Sequence, residues 1–159
     1  LGMPKVLGDL FGPCMFAVAM GLSRIFYGKM VNTLNLTNYI FVSALLCVVS
    51  YFLCASSPNG IFSLLGCALC GFSVGVMWPG VLSLASIPCA RGGTALFGLL
   101  AMMGDVGCFL GPNTAAAISE HFLVGGSSMK AGLLGCAIFH LVMIGCIVGL
   151  KYMKDRKRV

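Results

Sequence analysis

The sequence predicts an all-α, polytopic membrane protein, and three observations carry that prediction. First, 59% of its 159 residues are hydrophobic and only 9% are charged. Ordinary globular chains carry about 25% charged residues, so this one cannot clothe a water-facing surface. Second, the apolar residues gather into five stretches, each near the roughly 20 residues that cross about 30 Å of hydrocarbon. Third, the chain holds 22 glycines, and small residues let helices approach closely where lipid removes the usual hydrophobic drive for association.

The spans are expected at residues 6–27, 37–55, 60–86, 94–119 and 130–151, with a basic tail over 152–159. Short connections between them make neighbours antiparallel. The first span carries Asp9 one turn before Pro13, on the same face, near its outer end. Asp9 reads either as a carboxylate wetted at the interface or as a group at the mouth of a pathway. The second span is apolar apart from Ser43 and Ser50 and reads as a lipid-facing scaffold. In the third, Cys67, Gly71, Gly75, Pro79 and Ser83 recur every four residues, a groove of small residues for another helix. Trp78, the single tryptophan, lies deeper than an interfacial belt would place it. Packing and ligand contact both remain open for it.

The fourth span holds the strongest functional lead. Asp105 falls close to its midpoint, where an ionised side chain costs roughly 2.5–3.5 kcal/mol on insertion scales and normally faces protein or a watery cavity. At 100° per residue, Thr94, Gly98, Ala101, Asp105, Cys108, Pro112 and Ala116 share one stripe, and Leu96, Leu100, Met103 and Leu110 lie across from it. The fifth span has His140 near its midpoint, read as a hydrogen-bonded packing residue turned toward a neighbouring helix.

The formal charge of +6 does not indicate nucleic acid, because five of the ten basic residues lie in the run Lys151–Arg158, directly after an apolar span. Such a cluster marks a cytoplasmic flank drawn to anionic headgroups. With that end inside, Arg24, Lys29, Arg91, Lys151, Lys154, Arg156, Lys157 and Arg158 are cytoplasmic, and only Lys5 and Lys130 are outside. The expected location is a cell membrane, multi-pass, with a cytoplasmic C-terminus. Seven of the nine cysteines sit inside apolar runs, where Cys behaves as a small hydrophobe. Cys67 and Cys70 have redox or metal spacing, but no His or second pair stands nearby in sequence. No metal and no cofactor is expected. There is no paired nucleophile and base and no phosphate loop, so the chain is not read as an enzyme.

From Gly71 to Pro112, and in the segment Gly21-Leu-Ser-Arg-Ile-Phe-Tyr-Gly-Lys29, the chain resembles the C-terminal part of a major facilitator superfamily transporter. The resemblance implies five helices of a six-helix half, and hence a fragment lacking the N-terminal part of the same transporter. It implies that Arg24, Gly28 and Lys29 belong to a cytoplasmic gate loop, although Ser23 stands where the family has an acid and Gly28 lies two positions late. Trp78-Pro79 and Asp105 are loosely similar to the fucose-permease branch, which takes up sugars with protons. That likeness implies Asp105 as proton carrier or substrate contact and Trp78 as a stacking surface.

The resulting expectation is secondary active transport of a small solute by alternating access, driven by protons, with the solute, protons and the lipid bilayer as partners. Two rivals are a non-transporting membrane scaffold, in which Asp105 and His140 fasten helices, and a multidrug exporter of the same fold. Water at Asp105 favours a transporter, whereas burial against a basic or amide partner favours a scaffold.

Overall fold

Lipid gives an apolar side chain no reason to prefer a neighbouring helix, so contact is settled by how closely two backbones can approach. In the computed structural model, which describes residues 5–33, 35–57, 59–89, 91–121 and 128–156, the glycines mark where that happens. The described residues form α1 (Lys5–Met30), α2 (Leu36–Ser56), α3 (Gly60–Val74), α4 (Met77–Ser86), α5 (Gly93–His121) and α6 (Ser128–Arg156). No strand occurs among them. With α3 and α4 taken together, there are five segments long and apolar enough to cross a membrane.

Three boundaries differ from the sequence reading. The first helix runs on to Met30, so Arg24, Gly28 and Lys29 lie on its last turns and not in a loop. The third span is two helices, interrupted at Gly75–Val76. The last helix continues to Arg156, so the start of the basic tail is helical, while 157–159 lie outside the described residues. Pro13 and Pro112 sit inside helices that stay unbroken. The turn into α5 uses Gly93 at φ +46°, a left-handed conformation that favours glycine.

Packing proceeds from α1 to α3, α3 to α2, α2 to α6, and α6 to α5, with α4 also against α2. The α1–α3/α4 seam is the expected small-residue groove. Cys67 Sγ donates to the Gly12 carbonyl at 3.5 Å. A Cβ added at Gly71 would strike the backbone of Phe16, and one at Gly75 would lie 2.8 Å from the Met20 carbonyl oxygen. Further along, the Tyr27 hydroxyl is 3.4 Å from that of Ser83. Partners advance together on both helices, so the two run parallel.

The second span is not the lipid-facing scaffold the sequence suggested. Ile40, Ala44, Cys47 and Ser50 on α2 are essentially inaccessible, because they face α3, α4 and α6. Gly80 rests on Ile40, and Gly66 lies against Cys54. At the α5–α6 contact, Gly132 seats against Ala115 and Ser119, and Gly135 against Ile118. Cys136 Sγ reaches the Gly111 carbonyl at 3.6 Å.

Helix ends alternate along the bundle. Tyr27 near the end of α1 stacks on Tyr39 near the start of α2, ring centroids 6.0 Å apart. Lys151 near the end of α6 donates to Asn38 at 3.0 Å, and Lys130 near its start donates to the Ser57 carbonyl at 3.4 Å. Arg24 and Lys29 therefore share one end of the bundle with Lys151 and Arg156, and Lys130 lies at the other.

Candidate functional site

An α-helical N–H bonds the carbonyl four residues earlier. Pro79 has no N–H, so the Gly75 carbonyl loses its helical partner. That carbonyl accepts a hydrogen bond from Arg24 Nε across the seam at 3.3 Å. Gly75 and Val76 keep helical torsions (φ/ψ −55°/−33° and −92°/−19°), so the interruption is a kink and not an unwound loop. The absence of a Cβ at Gly75 is what lets α1 come this close: an added one would stand 2.9 Å from Ser23 Cβ. Ser23 itself is fully buried, with no hydrogen-bond partner for its hydroxyl. Arg24 thus acts within the described residues as a cap on a broken helix.

Just beyond the kink, Trp78 is 45% exposed and its six-membered ring edge reaches α5. A Cβ at Gly104 would lie 3.0 Å from Cζ3 and 3.2 Å from Cη2 of that ring. The chain neighbour of this glycine is Asp105, which is exposed. The α6-facing side of α5 carries Gly111, Ala115, Ile118 and Ser119. At 100° per residue Gly104 lies on that side and Asp105 about a quarter of a turn away from it. Kink, indole and carboxylate are therefore brought to one edge of the bundle. Among the described residues, the partnered cations bond groups other than Asp105: Arg24 the Gly75 carbonyl, Lys130 the Ser57 carbonyl, Lys151 Asn38 and Arg156 Tyr152.

Asp9 is likewise exposed, on α1. The helix that bears it packs on α3, and α1 and α5 make no extended contact, so Asp9 and Asp105 stand on separate margins. A Cβ at Gly28 would meet nothing within 4 Å, and Lys29 is exposed. Of the three residues placed by resemblance in a gate loop, Arg24 hydrogen-bonds to another helix.

A second polar cluster lies where α2, α3 and α6 meet. Cys47 Sγ is 3.1 Å from His140 Nε2 and 4.0 Å from Cys70 Sγ. The Tyr51 ring lies over the imidazole, centroids 5.1 Å apart. His140 does face a neighbouring helix, as its position suggested. The two thiols beside it were not foreseen, because the visible pairing was Cys67 with Cys70. Those two diverge, Cys67 toward α1 and Cys70 toward α2. The available signal was the four-residue spacing of Cys47 and Tyr51 on a helix with few other polar groups. Among the described residues no group of three or more His, Cys, Asp or Glu is suited to holding a metal.

Compared with known proteins, the chain matches no family model, no curated protein and no solved structure.

Proposed function

We propose that this chain forms part of the wall of a solute pathway in a secondary active transporter of the major facilitator type, with Asp105 as its proton-coupling carboxylate and Trp78 as a solute-facing surface. The carrying observation is that Asp105 stands exposed near the middle of α5, off its packed face and beside the glycine that seats Trp78. A helix-fastening acid would be buried against a basic or amide group, and Asp105 is not. The kinked third span supports the same reading, since broken helices near the bilayer midplane are where many transporters build their sites.

On this reading a facing set of helices completes the pathway and covers the margins of α1 and α5. The bundle end bearing Arg24, Lys29, Lys151 and Arg156 is cytoplasmic by the positive-inside rule, and the membrane is that of the cell. The solute is small and sugar-like, taken up with protons. Arg24 caps the kink from α1.

The test uses the intact transporter in membrane vesicles. Asp105→Asn keeps hydrogen-bonding capacity and removes titration. The expected outcome is loss of uphill, proton-driven accumulation with solute exchange partly retained. Accumulation with unaltered pH dependence would return Asp105 to a packing role.

A further inference from the structure

The α2–α3–α6 junction holds chemistry that a pathway along α4 and α5 does not use. Cys47 is wholly inaccessible, and its sulfur stands between two groups from different helices, His140 Nε2 at 3.1 Å and Cys70 Sγ at 4.0 Å. Cys70 is partly exposed. The neighbouring thiols are turned elsewhere, Cys67 to the Gly12 carbonyl and Cys54 to the Ser63 carbonyl. His140 Nδ1 is buried without a sound hydrogen bond, the Cys136 carbonyl one turn back offering a weak one. A proton on Nδ1, turned that way, leaves the Nε2 lone pair free to accept from the Cys47 thiol. Packing alone would be met by any small apolar side chain. Two sulfurs in reach of each other and an imidazole directed at one of them make a thiol–base arrangement.

We propose that Cys47 and Cys70 form a hydroperoxide-responsive thiol pair that closes to a disulfide, with His140 as its base. The Cys70 proton passes through the Cys47 thiol to His140 Nε2, leaving a Cys70 thiolate, the reactive form. That thiolate attacks the hydroperoxide, breaking the O–O bond. Cys70 becomes a sulfenic acid, and the departing alkoxide takes the proton back from His140 and leaves as the alcohol. Cys47 then gives its own proton to His140 and attacks the Cys70 sulfur. The S–O bond breaks, and the hydroxide leaves as water with that proton. In total, two thiols and one hydroperoxide give one disulfide, one alcohol and one water. The order of roles follows exposure: Cys70 meets the oxidant, and buried Cys47 resolves. The bond staples α2 to α3.

The test uses the protein in phosphatidylcholine nanodiscs, treated with cumene hydroperoxide, an apolar oxidant that partitions into the bilayer. Remaining thiols are blocked, the chain is digested with chymotrypsin, and linked peptides are mapped by mass spectrometry. The expected link is Cys47–Cys70. In Cys47→Ser, whose hydroxyl keeps the proton relay but cannot resolve, a sulfenic acid should persist at Cys70 and be trapped by dimedone, whereas Cys70→Ala should leave Cys47 unmodified. His140→Gln should slow formation of the link by on the order of 100-fold, the scale of general-base assistance, without changing its position. A Cys67–Cys70 link, no link, an unmodified Cys70 in Cys47→Ser, or an unaltered rate in His140→Gln each overturns the proposal. If His140→Gln does not fold, the wild-type map and the two cysteine variants still decide.

Discussion

Along the seam between α1 and α3/α4, Gly71 and Gly75 sit where one added carbon would strike the backbone of another helix. On α5, Gly98 and Gly107 have nothing within 4 Å of the same position. The residue type is the same and the physical use differs. At the seam, glycine removes a side chain so that two parallel backbones can meet. On α5, it borders open space, where the described residues supply no neighbour. No residue of α5 is buried, although α5 is as long as the other spans and as apolar as α1. The comparison teaches that small residues report close approach only where a partner lies within the same chain.

The sharpest way to break this contrast is to add the missing carbon on each side. Gly71→Ala should lower the stability of the detergent-solubilised protein by about 1–3 kcal/mol, the usual range for overpacking. Gly98→Ala should change it by no more than about 0.5 kcal/mol, as for substitutions away from packed features. Equal losses at both positions, read from chemical unfolding in mixed micelles, would mean that α5 has a neighbour at Gly98 after all.

An effect of the same order is expected at the kink. Arg24→Met leaves the Gly75 carbonyl without its cross-seam donor, and a buried acceptor so orphaned costs about 1–3 kcal/mol. Pro79→Ala restores an N–H four residues beyond that carbonyl. The double variant should therefore recover most of the loss, and the coupling is measured by a double-mutant cycle. Strict additivity would show that Arg24 does not serve the broken hydrogen bond.

The smallest effect belongs to the α4–α5 edge. Gly104→Ala should displace the Trp78 ring and shift its emission while leaving the unfolding midpoint within error of wild type. Gly107→Ala, with open space beside it, should leave the spectrum unchanged. Because Trp78 is the single tryptophan, the signal is unambiguous.

Much of the seam was legible beforehand. The four-residue recurrence of Cys67, Gly71, Gly75, Pro79 and Ser83 pointed to a helix-binding groove, and that groove is what α1 occupies. The number of spans and their approximate limits followed from hydropathy, since length and apolarity are all a spanning helix requires. The hub role of α2 was hidden. A helix that is apolar all round gives no contrast between its faces, and Ala44, Cys47 and Ser50 are as unremarkable to lipid as to a neighbour. The interruption at Gly75–Val76 was also missed, although a proline four residues after a glycine frees a carbonyl where the backbone is least protected. In the candidate site, Asp105 and Trp78 each drew notice in the sequence. Their convergence did not, because it depends on Gly104 giving the indole its seat across two helices.

The most direct measurement is the solvent accessibility of the Asp105 face of α5. In a cysteine-free form of the protein in native membranes, single cysteines are placed at 96, 98, 100, 101, 103, 105, 108 and 110 and exposed to a small, charged, water-borne thiol reagent. A pathway-lining α5 predicts labelling at Gly98, Ala101, Asp105 and Cys108, slowed by saturating transported solute. Leu96, Leu100, Met103 and Leu110, on the opposite side of the helix, should stay unlabelled. Silence at all eight positions, or labelling without regard to face, would contradict the account.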